Sequence, residues 1–593
     1  MTPGAGYRVR TMTRIRLIAG LGFLLTACAP QEPEIRFDAD AIVVGAGLSG
    51  LSAAVEMGRA GVDVLVVDMN SMAGGHAIMA GGVAIVGTPV QEKAGFVDSP
   101  DLAYADWMEW TEDGDPAWTR YYVENSREMI YDWVTELGVE FVRAAPAHAN
   151  SVPRFHFTEG RAVYLVMPIY RTALALPRVS FQWNKRAERL VVEDGRIAGV
   201  VVRDLRTDEV VTLRAPNVVL ATGGFESDLE RVLANWTPGL PDPQRLLIGS
   251  SVSATGSGHD MAVEAGAALT KMDRHYIYVN GLVSPRDPEG IHALTAGNDS
   301  SIWVNVRGER FTNEAGFDKD ILVDLLNQEG STYWAIFDEN TRDDFASRGA
   351  AWLNTPTDGH PLLDNPDAAA KAQSLEELAA MAGLPSEALL ASVQRFNGMV
   401  DAGVDTEFGR FGVDGLVPPR IERPPFYAVQ MFPMTRKSMG GVAIDMQIRV
   451  LDDAGQVLPG LYAAGEINGS VGLNGKHGMD GMFLGPALLT GRLAGMNIAA
   501  EHAEETEALA IVPPRPEDPL PDAATWQASL TAADLLQLLS ASREGYWHFE
   551  MSHDMVLERE YQCTLCHSAQ VPFYPLNNRE SKLAQTQVCT NCH

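Results

Sequence analysis

The first clear pattern of apolar positions after residue 39 is a strand, a helix and a second strand. Residues Asp40 to Val44 form a short apolar run, a helical pattern continues through Ala60, and a second apolar run extends from Val62 to Val67. This order predicts a β–α–β unit of an α/β protein. Beyond the N-terminus no stretch approaches the roughly eighteen consecutive apolar residues of a membrane-spanning helix, so none is predicted in the body of the chain.

The turn between the first strand and the helix is rich in glycine. Residues 45–50 have the sequence GAGLSG, and the acidic residue Asp68 follows 18 residues after Gly50. Gly45, Gly47 and Gly50 would permit a tight turn and the close approach of a pyrophosphate to the helix N-terminus. Asp68 would accept a hydrogen bond from a ribose hydroxyl. The pattern therefore predicts a Rossmann-type dinucleotide-binding domain.

The N-terminus carries arginines ahead of an apolar run that is too short to span a bilayer. The run extends from Leu17 to Leu25 and is followed by Thr26, Ala27 and Cys28; the arginines are Arg8, Arg10, Arg14 and Arg16. Residues 1–28 resemble a bacterial lipoprotein signal, in which Cys28 becomes the lipidated first residue. The alternative is an ordinary signal peptide with an incidental cysteine. We expect export to the periplasmic side of a bacterial membrane, with the lipid on Cys28 as the only membrane attachment.

Four of the five cysteines lie within the last 31 residues. They form two Cys-x-x-Cys-His units, which are Cys563, Cys566 and His567, and Cys589, Cys592 and His593. Such units are typical of covalent c-type haem attachment, with the histidine as an iron ligand. A zinc ribbon is the alternative, because 22 residues separate the pairs and ribbons use about 15 to 20. The adjacent histidines, which zinc does not need, and the predicted export favour two haems.

The segment just upstream offers further iron ligands. His548 and His553 would complete bis-histidine ligation of two irons. Met551 and Met555 lie in the same stretch and are the alternative, because methionine is also an axial haem ligand.

Length and charge limit the function classes. A chain of 593 residues predicts two to four domains. A hydrophobic content of 46% with 55 glycines is typical of a large α/β enzyme. The net charge of −31 argues against nucleic acid as a partner, because that binding depends on cations that neutralise phosphates.

Later glycine-rich motifs indicate FAD rather than NAD. They are Gly74-Gly75, Gly81-Gly82, the segment 218–224 with Thr222 and Gly223, and the segment 460–466 with Gly465 and Glu466. With the phrases DSP at 98–100, RFTNE at 310–314, MGG at 439–441 and GRLAG at 491–495, they resemble the fumarate reductase and succinate dehydrogenase flavoprotein family. Periplasmic flavocytochromes c of that family are similar in plan, although they carry haem at the N-terminus. The sequence GPALLTG at 485–491 is similar to ketosteroid dehydrogenases.

The resemblance implies a domain plan and a cofactor. A Rossmann-type FAD-binding domain in two segments would surround an inserted α+β capping domain, and a linker would lead to a small, mainly α-helical or irregular di-haem module. The implied limits are 39–272 and 437–503 for the FAD domain, 273–436 for the cap, 504–522 for the linker and 523–593 for the haem module. We expect FAD to be bound non-covalently, although His76 lies near the position where membrane-bound relatives attach it covalently.

The resemblance also implies catalytic residues. Arg342, at the end of AIFDENTR (335–342), matches the cap arginine that exchanges a proton with substrate while flavin N5 exchanges a hydride. Glu314 matches a relay glutamate, but Phe317 or Asp318 replaces the relay arginine. The alternatives are that Arg342 is a surface arginine paired with Asp338 or Glu339, and that Glu314 caps a turn.

The predicted substrate clamp departs from the family pattern. Tyr278, or Tyr276 with a small shift, stands in place of one clamp histidine, and Lys437 stands in place of the other. The late clamp arginine falls near 476–478, where this chain offers Lys476 and His477. Fumarate is therefore disfavoured, while several cations would still suit a carboxylate.

Together these features predict an FAD-dependent oxidoreductase acting on a CH–CH or C=C bond. The leading hypothesis is reduction of an activated, carboxylated C=C compound with electrons from the haems, which a quinol-linked or soluble cytochrome partner would supply. One alternative is a dehydrogenase of a steroid-like or other apolar substrate that passes electrons out through the haems. Another is an electron-transfer protein without substrate turnover.

Overall fold

The computed structural model describes residues 37–503 except 71, 286, 349–360 and 412–416. The segment with Cys28, the linker and the C-terminal module lie outside these residues, so the lipid anchor and the two haems stay predictions. The eight predicted haem residues outside them are Cys563, Cys566, Cys589, Cys592, His548, His553, His567 and His593.

The predicted β–α–β unit lies within a six-stranded sheet. Strand Ala41–Val44 is buried at all four positions and pairs in parallel with two neighbours. Burial along the whole strand explains its unbroken apolar run. The strand order is Arg449–Leu451, Val457–Ala463, Asn217–Leu220, Ala41–Val44, Val64–Asp68 and Val179–Trp183. The strands are parallel except for Arg449–Leu451, which pairs antiparallel with its neighbour.

Two helices from opposite ends of the described chain pack against each other beside this sheet. They are Leu48–Arg59, which follows the glycine-rich turn, and Leu484–Ala503. A Cβ atom at Gly491 would lie 2.2 Å from the carbonyl oxygen of Ser49, so glycine is needed for this approach. The GRLAG phrase therefore fixes the last helix against the first.

A second, larger sheet corresponds to the predicted cap. Its main path runs Ile302–Val304, Tyr333–Asp338, Phe426–Ser438, His275–Val283, Ala293–Asn298 and Phe345–Arg348, and the short strands Leu247–Ile248 and Ala370–Ala372 also pair with Phe426–Ser438. This sheet takes Leu247–Ile248 from the predicted first FAD segment, and its longest strand crosses the predicted limit at 436/437. The division into two sheets therefore does not coincide with the predicted cap limits at 272/273 and 436/437.

Smaller elements complete the described part. Short sheets are formed by Lys185–Glu193, Arg196–Asp204 and Val210–Arg214, by Val83–Ala84, Phe155–Thr158 and Phe141–Ala145, and by Leu269–Thr270 with Gly441–Val442. The other helical segments are Gly75–Met79, Pro89–Lys93, Pro100–Thr111, Pro116–Ser126, Arg127–Asp132, Trp133–Glu136, Ala162–Ala175, Leu229–Ala234, Ser257–Glu264, Asp318–Leu326, Glu329–Ser331, Glu339–Asp344, Leu375–Ala382, Ser386–Ala402 and Gly469–Gly472. Among the residues described, no helix combines the length and apolar character needed to cross a membrane.

Candidate active site

The glycine-rich turn forms one wall of a cleft at the carboxyl ends of the parallel strands. Gly45 adopts φ +110°, and a Cβ atom there would lie 2.3 Å from the carbonyl oxygen of Ala221. A Cβ atom at Gly50 would lie 1.9 Å from the carbonyl oxygen of Gly45. Both positions thus require glycine, one for the turn and one for the close start of the helix.

Asp68 ties the second strand to this turn. Its Oδ2 accepts a hydrogen bond from the backbone N–H of Ala46 at 2.7 Å, and its Oδ1 accepts one from the N–H of Asn70 at 2.7 Å. Burial raises the pKa of Asp68 to about 6, although the two backbone hydrogen bonds oppose the shift. Asp68 lines the cleft, as the sequence pattern predicts for a ribose-binding acid.

The residues at this wall fit a dinucleotide cofactor. A Cβ atom at Gly47 or at Gly223, whose φ is +77°, would meet no atom within 4 Å, so each glycine leaves open space in the cleft. Thr222 Oγ1 is buried and has no hydrogen-bond partner among the described residues. A bound pyrophosphate or ribityl chain would fill the space beside Gly47 and Gly223, and it would give Thr222 Oγ1 a hydrogen-bond partner.

The two predicted glycine pairs behave differently. The Gly74 N–H donates to the carbonyl of Ala46 at 2.9 Å, and both Gly74 and Gly75 line the cleft. Gly81 and Gly82 are not among the lining residues. A Cβ atom at Gly82 would lie 2.1 Å from the carbonyl oxygen of His156, so Gly82 is needed for packing in the small three-stranded sheet, whereas a Cβ atom at Gly81 would come no closer than 3.4 Å to any neighbouring atom. The cofactor role of these two glycines stays a prediction.

Ionisable side chains converge at another part of the cleft. Lys437 Nζ lies 2.7 Å from His76 Nδ1 and 3.5 Å from Glu466 Oε2. Glu466 Oε1 accepts a hydrogen bond from the N–H of Ser438 at 3.1 Å. Burial lowers the pKa of Lys437 to about 8, and the Glu466 carboxylate opposes that shift. Gly465 lies just behind this group, with its N–H donating to Thr490 Oγ1 at 2.9 Å.

The cleft is lined by residues from several segments of the described chain. Lys185, Arg186 and Phe483 also line it. The sequence motifs did not indicate these three, because none of them lies within the glycine-rich phrases that pointed to FAD.

Aromatic side chains lie beside Lys437. Tyr276 is the direct cross-strand partner of Lys437, and its ring stacks on Phe483 with centroids 5.5 Å apart. Tyr278 meets Tyr276 edge to face at 4.9 Å. Tyr276 is buried while Tyr278 is only partly so. The structure therefore brings the predicted Tyr278 and Lys437 into one region of the sheet.

Glu314 lies in a buried ionic cluster of the cap. Its carboxylate pairs with Arg310 at 2.7 Å and with Arg410 at 3.4 Å, and Arg310 also pairs with Asp405 at 3.0 Å. Glu314 Oε1 additionally accepts the N–H of Trp303 at 3.2 Å. Glu314 thus holds two arginines rather than capping a turn, and its relay role stays a prediction.

Arg342 lies on the helical turn Glu339–Asp344, which follows strand Tyr333–Asp338 of the cap sheet. Its Nη2 is 3.8 Å from Asp364 Oδ2, and its Nε is buried without a partner among the described residues. The alternative, an ion pair with Asp338 or Glu339, is not formed, because Asp338 accepts backbone N–H groups and Glu339 accepts the Tyr427 hydroxyl. Arg342 does not line the cleft, and its catalytic role stays a prediction.

Lys476 and His477 point to a surface carboxylate. They lie 3.0 Å and 3.3 Å from the two carboxylate oxygens of Glu112. The late clamp cations that the sequence offers are therefore paired outside the cleft lining.

A buried pair that the sequence did not indicate lies near Glu466. His275 Nδ1 is 2.9 Å from Glu226 Oε1, and both side chains are fully buried. Burial raises the pKa of Glu226. Burial opposes protonation of His275, but the hydrogen bond to Glu226, the charge of Glu226 and the hydrogen bond to the carbonyl of Asn235 together raise the pKa of His275.

Comparison with known proteins decides what this cleft binds. The family model described as FAD binding domain matches residues 40–485. The chain belongs to this family. Fumarate reductase (cytochrome) of Shewanella frigidimarina is 30% identical over 472 residues, covering 78% of this chain and 77% of the relative. A KsdD-like steroid dehydrogenase of Mycobacterium tuberculosis is 30% identical over 547 residues, covering 78% of this chain and 96% of the relative.

The fold agrees with this assignment. The open conformation of a flavocytochrome c3 fumarate reductase has a TM-score of 0.66 at 27% identity and covers 78% of each chain. The protein is an FAD-dependent oxidoreductase that acts on CH–CH bonds. When bound, FAD supplies the hydride chemistry. Gly47, Thr222, Gly223 and Asp68 would hold the cofactor, and Lys437 with its neighbours would hold and orient the substrate.

Proposed function

We propose that this FAD-dependent oxidoreductase reduces an activated C=C bond in a carboxylated compound. The observation that carries the proposal is Lys437, whose side chain is 12% exposed and lines the cleft, with its ammonium group near His76 and Glu466. A largely shielded cation in an FAD cleft suits a substrate carboxylate, because ion pairing is strongest where water is excluded. The likeness to fumarate reductase supports the same reaction class.

The proton that completes the reduction needs a donor on this chain. Arg342 is the proposed donor from the family pattern, but an isolated arginine is a weak acid because its pKa exceeds about 12. Its role therefore requires that the cap bring it to the substrate and that a partner restore its proton. Tyr278 is the next candidate, since it already lies in the aromatic group beside Lys437.

We further propose that the enzyme is exported, anchored through Cys28, and supplied with single electrons through two C-terminal haems. The Cys-x-x-Cys-His units support this proposal. A quinol-linked or soluble cytochrome would be the electron partner, and the flavin would convert single electrons into hydride chemistry.

A second candidate function is dehydrogenation of a steroid-like substrate. The specific observation in its favour is the aromatic group of Tyr276, Tyr278 and Phe483, of which Phe483 lines the cleft, together with the similarity to a KsdD-like steroid dehydrogenase. In this case electrons would leave through the haems.

The test is anaerobic mixing of the purified holoprotein with candidate substrates. Dithionite-reduced protein should regain oxidised flavin absorbance when an unsaturated carboxylic acid is added. Haem reduction of the oxidised protein by a saturated steroid would favour the second candidate. If neither unsaturated acids, enones nor steroids change either spectrum, both functions are wrong and the electron-transfer alternative gains support.

A further inference from the structure

Aromatic contacts join the cap to the part of the predicted FAD domain that precedes it in the chain. Phe317 lies just before helix Asp318–Leu326 of the cap. Its ring meets Trp110 edge to face at 5.2 Å and His148 edge to face at 4.2 Å, both measured between ring centroids. Lys319 adds a cation–π contact, with Nζ 3.8 Å from the centroid of the Trp110 ring. Both kinds of contact are favourable, so the cap is held to Trp110 and His148 at this point.

The cap side of this contact is anchored in the cap core. The carbonyl of Phe317 accepts the N–H of Ile321 at 3.2 Å. Ile321 is buried in the same hydrophobic cluster as Leu325 and Phe337. The resemblance implies a relay arginine at position 317 or 318, and Phe317 stands there instead. A position where the resemblance implies proton transfer is therefore used for packing in this chain.

Trp110 also contacts loop 474–478, which precedes the last helix. Its Nε1–H donates to the carbonyl of Gly478 at 3.2 Å. The backbone of Gly478 covers the ring of Tyr276 so closely that a Cβ atom there would lie 2.6 Å from Cγ. The Tyr276 ring in turn stacks on Phe483, which lines the cleft. Trp110 thus binds the cap through its ring and supports the aromatic side of the cleft through its N–H.

Lys319 acts on the same loop through its charge. Lys476 and His477 of the loop both pair with Glu112, which follows the helix that carries Trp110. Burial lowers the pKa of His477, the hydrogen bond and charge of Glu112 oppose this shift, and the charge of Lys319 adds to it. The cap cation and this loop therefore share one small region beside the helix.

We propose that four side chains form a clasp, which holds the cap on the FAD domain and couples the cap to loop 474–478. The clasp consists of Phe317 and Lys319 on the cap and of Trp110 and His148 on the FAD domain. The coupling follows because one tryptophan is shared between the cap and the loop. When the clasp opens, the loop loses part of its support, and so does the aromatic packing beside the cleft. The inference is independent of the substrate and of the direction of the reaction.

The experiment measures backbone hydrogen exchange of the oxidised holoprotein by mass spectrometry. Peptides that cover loop 474–478 and helix Asp318–Leu326 are followed in the wild type and in two clasp variants. Phe317→Leu removes the ring on the cap side, and Lys319→Gln removes the charge. Rates are compared with that of strand Ala41–Val44, because exchange in a buried strand reports the stability of the fold as a whole.

Two variants inside the cap serve as matched controls. Phe411→Leu removes a partly buried ring that packs against Phe396 of the cap at 5.9 Å. Lys371→Gln removes a cation that lies 5.8 Å from the centroid of the Tyr427 ring, also in the cap. Both contacts stay within the cap, so neither control should change exchange in loop 474–478.

We expect each clasp variant to speed exchange in loop 474–478 by about fivefold, which corresponds to about 1 kcal/mol, the size of one aromatic or cation–π contact. If either clasp variant speeds exchange only in its own helix, or leaves the loop unchanged, the contact is local packing and the inference is overturned. Equal acceleration of the loop by the controls also overturns it. Trp110→Phe keeps a ring but loses the N–H, so it should affect the loop more than the helix. An equal or opposite order in that variant would refute the shared role of Trp110.

Discussion

Replacing Glu314 by glutamine should separate a structural role of this residue from a catalytic one. The side chains of Arg310, Glu314, Asp405 and Arg410 are at most 4% exposed. Glu314→Gln keeps the size of the side chain but removes the charge that holds two arginines. Breaking a buried ion pair costs about 3 to 5 kcal/mol, because the remaining charge is left uncompensated. Asp405 still pairs with Arg310 in this variant. We therefore expect the free energy of unfolding to fall by about 3 kcal/mol, the lower end of that range.

The matched control lies on the same loop. Glu309 pairs with Arg307 at 3.0 Å, but these side chains are 52% and 64% exposed. An exposed pair of this kind contributes about 0 to 1 kcal/mol. Glu309→Gln should therefore change stability by less than about 1 kcal/mol. Urea unfolding of the holoprotein, monitored by tryptophan fluorescence, gives the free energy of unfolding of each variant. The values can be compared when the dependence of that free energy on urea concentration has the same slope in both variants.

Equal midpoint shifts in the two variants would refute this account of the cluster. Turnover at a temperature where both variants stay folded provides a second measurement. If Glu314 also passes protons, kcat should fall in Glu314→Gln with little change in KM. A stability loss with normal kcat would assign Glu314 to the structure of the cap alone.

Four further outcomes are expected. Arg342→Lys should lower turnover by orders of magnitude with FAD content unchanged, because lysine keeps the charge but loses the planar fork; near-normal turnover would show that the acid lies elsewhere. Carboxylate binding should weaken as pH rises through about 8, where Lys437 loses its proton, and Lys437→Arg should remove that limb from a titration of Kd against pH. Gly223→Val should reduce FAD affinity by at least about tenfold, whereas Gly61→Val, also at positive φ in open space, should not. A pyridine haemochrome assay should give two haems per FAD, and stoichiometric zinc instead would favour the ribbon.

Local sequence predicted the cofactor wall well, because its geometry depends on few neighbouring residues. Gly45 must adopt positive φ, Gly50 must lie against Gly45, and Asp68 must be the last residue of a parallel strand. Each requirement restricts the residue type at one position, and the spacing between these positions is fixed. The pattern can therefore be read from the sequence before the fold is known. Gly82 shows the limit of this argument, since tight packing in a small sheet demands glycine as strongly as a cofactor does.

Charge pairing could not be predicted in the same way. Arg310 and Asp405 are 95 positions apart, and Lys476 and Glu112 are 364 positions apart. Whether a lysine near the late clamp position faces substrate or a surface carboxylate depends on how distant loops meet. The sequence therefore overestimated the number of cations available to a substrate, and the pairing of Lys476 and His477 with Glu112 accounts for the difference.

The long strand Phe426–Ser438 explains how the cap and the cofactor wall could act together. Within the cap sheet it pairs with Tyr333–Asp338, which leads directly into the turn that carries Arg342. At its other end Lys437 lines the cleft, and the N–H of Ser438 donates to Glu466. A strand paired along its length in a sheet is a rigid element, because its backbone hydrogen bonds resist local bending. Arg342 and Lys437 are therefore carried by neighbouring strands of one sheet, so a movement of this sheet would change the positions of both side chains relative to the glycine-rich cofactor wall together.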